Sequence, residues 1–456
     1  MLIQRKTKVE GEAFVASQIR AIGCEGFYLD ACTTIRKEAS QLLISTLRIR
    51  ILMVLQNMFL PDLIRWAANL VAVVLIATTI SATGEERTPY TEAELENAIP
   101  MGIPGVRTWG DAPLSVVRTQ LANLGPLLTG QPISMLALSG GGEHGAFGAG
   151  LLCGWSESGH RPTFDIVTGV STGALMSPFA FLGTAYDERL KTLYTQMTFH
   201  SAFSGNPVLG LFGQGLYSTA PLQRIVASQI DQKLLDDIAI AYRNGRRLFV
   251  ITTNLDAQRP VLWNMGALAA SGSPQALELF RKVLVASASV AGAFDPVYID
   301  AEANGHHFKE MHVDGGTAYP LFAVPVRLLA ATGQVGGHND GQDGGHNDGH
   351  SGGQIYIIIN NNLDPDFAVT KPKTFNIAAR AFNTLVKSSF YDTILNSYIF
   401  AKDEGYTFNL TYIPNSFEVK SVGLVDQKYM LALFDLGHAQ GIHGGEWQHT
   451  PPRLYR

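Results

Sequence analysis

The chain has 456 residues, 46% of them hydrophobic, with a mean hydropathy of +0.09 and a formal net charge of −5. That length and apolar content suit one large domain with a substantial core and additional segments. The mild acidity argues against nucleic-acid binding, which needs a basic face. The three cysteines, Cys24, Cys32 and Cys153, have neither metal-ligand spacing nor the density of a disulfide scaffold, and read as ordinary thiols.

In chain order, residues 1–65 read as an N-terminal extension outside the fold, with Met53 or Met58 a more conventional start than Met1. Residues 66–82, "WAANLVAVVLIATTISA", form an uncharged apolar run behind Arg65. Its length suits a signal peptide or a membrane anchor, so the protein is expected to be exported or membrane-associated. Residues 83–130 read as a linker holding a short helix, "LSVVRTQLANL". From residue 131 to 330 short apolar runs alternate with longer amphipathic segments, which marks the core domain. "ISMLAL", "FDIVTGV" and "LFVITTNL" read as buried strands, and 187–197, 221–232 and 276–288 as helices. Residues 336–353, "GGHNDGQDGGHNDGHSGG", repeat GGHND without an apolar side chain to bury. They read as a surface insertion, the rival reading being a metal-binding tract. Residues 354–456 complete the domain with a strand, "QIYIIIN", and helices over 375–400 and 428–441. Alternating strands and helices predict an α/β fold of three layers: a mostly parallel sheet with helices on both faces.

Chemistry gathers at three places. "LALSGGGEHGAFGAG" places Gly140, Gly141 and Gly142 between a strand and a helix, with further glycines at 145, 148 and 150. No G-K-[ST] follows, so a phosphate loop is excluded, and a dinucleotide fingerprint overlaps only loosely. Consecutive glycines can instead turn N–H groups towards a developing oxyanion. "GVSTG" fits G-x-S-x-G after a strand and before an apolar helix, which is the context of a nucleophile elbow. Gly169 and Gly173 leave room for the sharp turn that presents Ser171. "MHVDGGTAYP" puts Asp314 before Gly315 and Gly316, exposing a carboxylate that accepts the serine proton if the site is dry.

The glycine loop, G-V-S-T-G and Asp-Gly-Gly, in this order over roughly residues 133–330, closely resemble the patatin-like phospholipase family, in its bacterial branch. The resemblance implies a fold related to the α/β-hydrolases and a Ser–Asp dyad without histidine. Ser171 would be the nucleophile, Asp314 the general base, and Gly140, Gly141 and Gly142 the oxyanion donors, with Gly145, Gly169, Gly173, Gly315 and Gly316 supporting the motifs. "VLVASASVAGAFDPV" (283–297) looks like the family's stretch between serine and aspartate. It further implies hydrolysis of fatty-acyl esters of lipids through an acyl-enzyme, at a membrane surface, without metal or organic cofactor. Two positions depart from the pattern. His144 stands where the family often has Lys or Arg, and Ser139 stands where plant members tend to carry Asp, with little consequence expected. Two other readings remain: a Ser…Asp…His triad drawing on His438, His443 or His449, and a lipid-binding protein that has lost its chemistry.

Overall fold

The computed structural model describes residues 87–113, 115–116, 133–198, 204, 214–323, 352–365, 367–422 and 425–452. All of these lie in one compact unit, residues 80–456. The apolar run 66–82, most of the linker helix, residues 336–351 of the insertion, Cys24 and Cys32 lie outside the described residues.

In chain order, α1 (Glu92–Glu96), β1 (Ile99–Pro100) and β2 (Arg107–Trp109) precede β3 (Ser134–Leu138), α2 (Gly145–Glu157), β4 (Ile166–Val170), α3 (Thr172–Leu182) and α4 (Asp187–Thr195). Next come α5 (Ala220–Gln229), α6 (Gln232–Arg243), β5 (Arg247–Asn254), β6 (Arg259–Asn264), α7 (Met265–Ala270) and α8 (Ala276–Ser287). β7 (Val297–Ala303), β8 (His306–Asp314), β9 (Gln354–Ile359), α9 (Thr374–Asp403), β10 (Thr407–Tyr412) and α10 (Gln427–Ile442) finish the unit.

The four apolar runs expected as strands are β3, β4, β5 and β9, and with β10 they form a parallel sheet in the order β5-β4-β3-β9-β10. Side chains alternate across it with the strand period of two. Leu136, Leu138, Val167, Leu248 and Val250 face one core together with α2, α3, α8 and α10. Met135, Ala137, Ile166, Phe249 and Ile251 face the other, which α9 covers with Phe390, Ile394 and Ala401. The three layers expected from the sequence are therefore present.

Beyond β5 the sheet turns antiparallel, and this places the chemistry. β6 occupies one edge of β5 over residues 249–254. The other edge is shared: β4 takes residues 247–251 and β8 takes 252–254. β4 runs parallel to β5 and β8 runs against it, so their C-terminal ends meet on one edge. Ser171 follows the end of β4, and Asp314 ends β8.

Glycines also set the helix packing. A Cβ at Gly150 or Gly154 of α2 would come within 2.0 or 2.1 Å of the Phe434 or His438 carbonyl oxygen. At Gly437 or Gly441 of α10 it would come within 2.1 or 2.3 Å of the Phe147 or Leu151 carbonyl. The two helices thus touch backbone to backbone, and α10 fixes the helix that follows the glycine loop.

Behind β8, Arg107 donates to both carboxylate oxygens of Glu310, at 2.5 and 2.7 Å. The Glu310 side chain is fully buried. Asn254 Nδ2 donates to Glu310 at 3.1 Å, and the His312 ring lies 3.0 Å from it. Burial alone would raise the Glu310 pKa, but the Arg107 charge and the His312 and Arg107 hydrogen bonds outweigh it and bring it down to about 2. Removing one partner of a buried ion pair leaves an uncompensated charge. Arg107→Ala is therefore expected to cost about 3–5 kcal/mol, read as a lower denaturant midpoint at pH 7. An unchanged midpoint would show that the pair is not buried in solution.

Candidate active site

The register that joins the ends of β4 and β8 brings the predicted serine and aspartate into contact. Ser171 Oγ donates to Asp314 Oδ2 at 2.5 Å. Ser171 sits between β4 and α3 with φ 55° and ψ −124°, a conformation strained for a residue with a Cβ. Its side chain stands at the N-terminus of the eleven-residue helix α3, whose first N–H groups lack intrahelical acceptors. The flanking glycines make the elbow possible. A Cβ at Gly169 would lie 2.5 Å from the Gly173 carbonyl oxygen, and one at Gly173 would lie 2.3 Å from that of Leu138.

Asp314 is buried and accepts a second hydrogen bond on Oδ1 from Gly316 N–H at 2.6 Å. Gly315 is where the chain crosses β5, since a Cβ there would lie 2.4 Å from the Ile251 carbonyl oxygen. Burial raises the Asp314 pKa to about 7, although the hydrogen bonds from Ser171 and Gly316 pull it down. A carboxyl poised there can take up a proton from a hydroxyl beside it at neutral pH.

The glycine loop lies against this pair, and a Cβ at Gly140 would stand 3.2 Å from Ser171 Cβ. The three expected oxyanion donors separate here. Gly140 N–H donates to the Pro320 carbonyl at 2.9 Å and is occupied. The Gly141 and Gly142 N–H groups, at the start of a 3-10 turn, have no acceptor among the described residues. Of the three expected donors, only Gly141 and Gly142 therefore keep an N–H without an acceptor among the described residues. The later glycines have packing roles: a Cβ would lie 2.1 Å from Thr172 Oγ1 at Gly145 and 2.5 Å from Asn360 Oδ1 at Gly148.

Sequence reading missed the residue that holds this loop. Asn360 follows β9 and is fully buried. Its Nδ2 donates to the Ser139 carbonyl at 3.0 Å, and its Oδ1 accepts Gly148 N–H from the first turn of α2 at 3.1 Å. Its own N–H donates to Ser139 Oγ at 2.8 Å, and that hydroxyl donates to the Gly140 carbonyl at 2.7 Å. Ser139 is thus part of the clamp, against the expectation of little consequence. Asn360 carried no signal, because an asparagine after an apolar run reads as a strand end. Ser287 and Ser289 were also missed as individuals, though their segment was singled out. Ser287 Oγ accepts Ser171 N–H at 3.0 Å, and the Ser289 carbonyl accepts Asp314 N–H at 2.8 Å.

His144 supplies no cation in place of the family's Lys or Arg. Its Nδ1 is shut away from solvent without a partner among the described residues, and burial, with the Lys387 charge nearby, pushes its pKa down to about 4. The histidines of the rival triad lie elsewhere. His438 lies 3.0 Å from Glu157 at the far end of α2, His449 lies 3.0 Å from the Phe408 carbonyl, and His443 caps the C-terminus of α10. No cluster of three or more His, Cys, Asp or Glu among the described residues could hold a metal. No helix among them is long and apolar enough to cross a membrane.

Residues 136–329 match the family model of the patatin-like phospholipases. No curated protein matches the chain. Among solved structures, the chain is similar to VipD from Legionella pneumophila at 11% identity and a TM-score of 0.33, over 69% of this chain and 67% of that one. The glycine loop, the serine elbow and the Asp-Gly-Gly turn all lie inside this segment, 136–329, which is similar to a patatin-like phospholipase domain.

Proposed function

We propose that this chain is a serine carboxylic ester hydrolase that cleaves acyl esters of lipids through a Ser171–Asp314 dyad. The observation that carries the reading is the buried 2.5 Å hydrogen bond between the two side chains, next to a glycine loop in which two backbone N–H groups have no acceptor among the described residues. The ionised Asp314 takes the Ser171 proton as Oγ attacks the ester carbonyl. The oxyanion that forms is held by Gly141 and Gly142 N–H, helped by the positive end of α3. Asp314 then passes the proton to the departing alcohol or lysolipid, and returns as the base that activates the water clearing the acyl-enzyme. A histidine has no step in this scheme.

Two measurements test it. The protein is expected to hydrolyse p-nitrophenyl acyl esters and to be labelled on Ser171 by a fluorophosphonate, located by mass spectrometry. An inactive, unlabelled and folded protein would bring the non-catalytic lipid-binding reading forward. The second measurement is a pH profile. The base works only when ionised, and burial holds it protonated up to about pH 7. kcat/KM should therefore rise with pH through a midpoint near 7, and a midpoint near 4 would mean a solvated carboxylate does the work.

A further inference from the structure

We propose that residues 367–399 dock this protein on an anionic lipid surface, with the N-terminal half of α9 lying along the headgroups. The proposal rests on the lipid hydrolase reading and adds the face that meets the substrate's bilayer.

α9 has two opposed apolar sides. Val386, Phe390, Ile394 and Ala401 recur at helical spacing and pack on the sheet. Ile377, Leu385, Leu395 and Ile399 fall on the opposite side and are exposed, with Leu385 70% so. In the segment leading into the helix, Phe367 and Val369 are 92% and 86% exposed. Large apolar side chains exposed along one side of a helix and in the segment before it point to an interaction surface.

The helix also stands at the correct end of the sheet. Lys387 Nζ donates to the Asp364 carbonyl at 2.6 Å, and Tyr391 Oη to the Leu363 carbonyl at 2.9 Å. Both acceptors lie just past the end of β9, the edge at which Ser171 and the glycine loop stand. The other end of α9 lies by the start of the strands, where Tyr406 N–H donates to the Ala401 carbonyl. Residues 374–386 therefore extend past the active-site edge for roughly 20 Å, at ~1.5 Å per residue. None of these whose side chain is described is buried.

Charge identifies the partner. Residues 367–399 contain Lys371, Lys373, Arg380 and Lys387 against one acidic residue, Asp392, in a chain whose net charge is −5. Exposed apolar side chains flanked by cations are what an interfacial helix presents to anionic lipid, and a protein partner of acidic surface would not need the fully exposed Phe367 and Val369.

The test places the dye NBD on a cysteine at Leu385→Cys, in the full chain carrying Cys24→Ser, Cys32→Ser and Cys153→Ala, with Asp403→Cys as the control. The local readout is blind to attachment through residues 66–82. Phosphatidylglycerol vesicles should shift the emission at 385 to the blue and raise it severalfold, and phosphatidylcholine vesicles should do so far less. The dye at 403 should not respond. Lys371→Ala with Lys373→Ala should weaken the response roughly 30-fold, at about a factor of five per cation. No change at 385 with phosphatidylglycerol overturns the proposal. So does a dye already in apolar surroundings without vesicles, whether a second copy or this chain covers it. Hydrolysis of soluble p-nitrophenyl butyrate by the same proteins separates the two readings: its loss with the vesicle response intact removes only the hydrolase.

Discussion

Ser171→Ala and Asp314→Asn are each expected to reduce ester hydrolysis by a factor on the order of a thousand or more, with little change in KM, because both would remove steps made only in the transition state. The two losses do not add. Nucleophile and base act as a unit, so the double variant should be about as inactive as either single one. Asp314→Asn has a second consequence that does not depend on turnover. In the unfolded chain this carboxyl ionises near 3.9, and in the folded protein near 7. A raised carboxyl pKa means folding opposes ionisation, so the native protein loses stability as pH rises from about 4 to 7. The loss is on the order of 4 kcal/mol for this fully buried group. Asn keeps the shape without the charge. Asp314→Asn should therefore be more stable than the wild type at pH 8 and nearly equal to it at pH 4, read by urea unfolding at both values. A variant that keeps its activity removes Asp314 from the mechanism, and the same stability difference at both pH values shows that folding does not raise its pKa.

The Ser171–Asp314 contact and the parallel half of the fold were legible for different reasons. β3, β4, β5 and β9 are nearly continuous apolar runs because helices cover both faces of the sheet, and such runs leave a clear trace. β6 and β7 left none, and of β8 only the last residues read as a strand. Glu310 and His312 look like surface residues in the sequence, yet both are fully buried, matched by Arg107 about 200 residues earlier. Motif order marked Ser171 and Asp314, but not that the ends of β4 and β8 share an edge of β5. Nor could it tell which glycine N–H was free, since the acceptor that occupies Gly140 is the carbonyl of Pro320. The α9 helix was expected over 375–400 and spans Thr374–Asp403, and its period alone did not show that its first half projects past the sheet. In each case the missing information is a long-range partner rather than a local preference.

Asn360→Ala should lower kcat by about 10²–10³ and leave KM nearly unchanged, the loss seen when an oxyanion donor is misplaced. The Gly141 and Gly142 N–H groups, proposed as oxyanion donors, are only as well aimed as the loop that carries them. That loop is tied at Ser139 and at Gly148 by one side chain from a different strand. Truncation leaves the Ser139 carbonyl and Gly148 N–H buried without this partner, at a cost of roughly 1–3 kcal/mol each. A drop in kcat caused only by partial unfolding would disappear at lower temperature or with active-site titration by fluorophosphonate, and a misaimed loop would not. Asn360→Asp provides the sharper comparison. Its carboxylate still accepts Gly148 N–H at the N-terminus of α2, but an ionised oxygen now faces the Ser139 carbonyl, close to where the oxyanion forms. Protonation restores a donor and removes the charge. The ratio of Asn360→Asp to wild-type kcat should therefore rise as pH falls, although both rates decline with the protonation of Asp314. If both folded variants keep the wild-type kcat at every pH, packing alone holds the loop and the hydrogen bonds of Asn360 serve only stability.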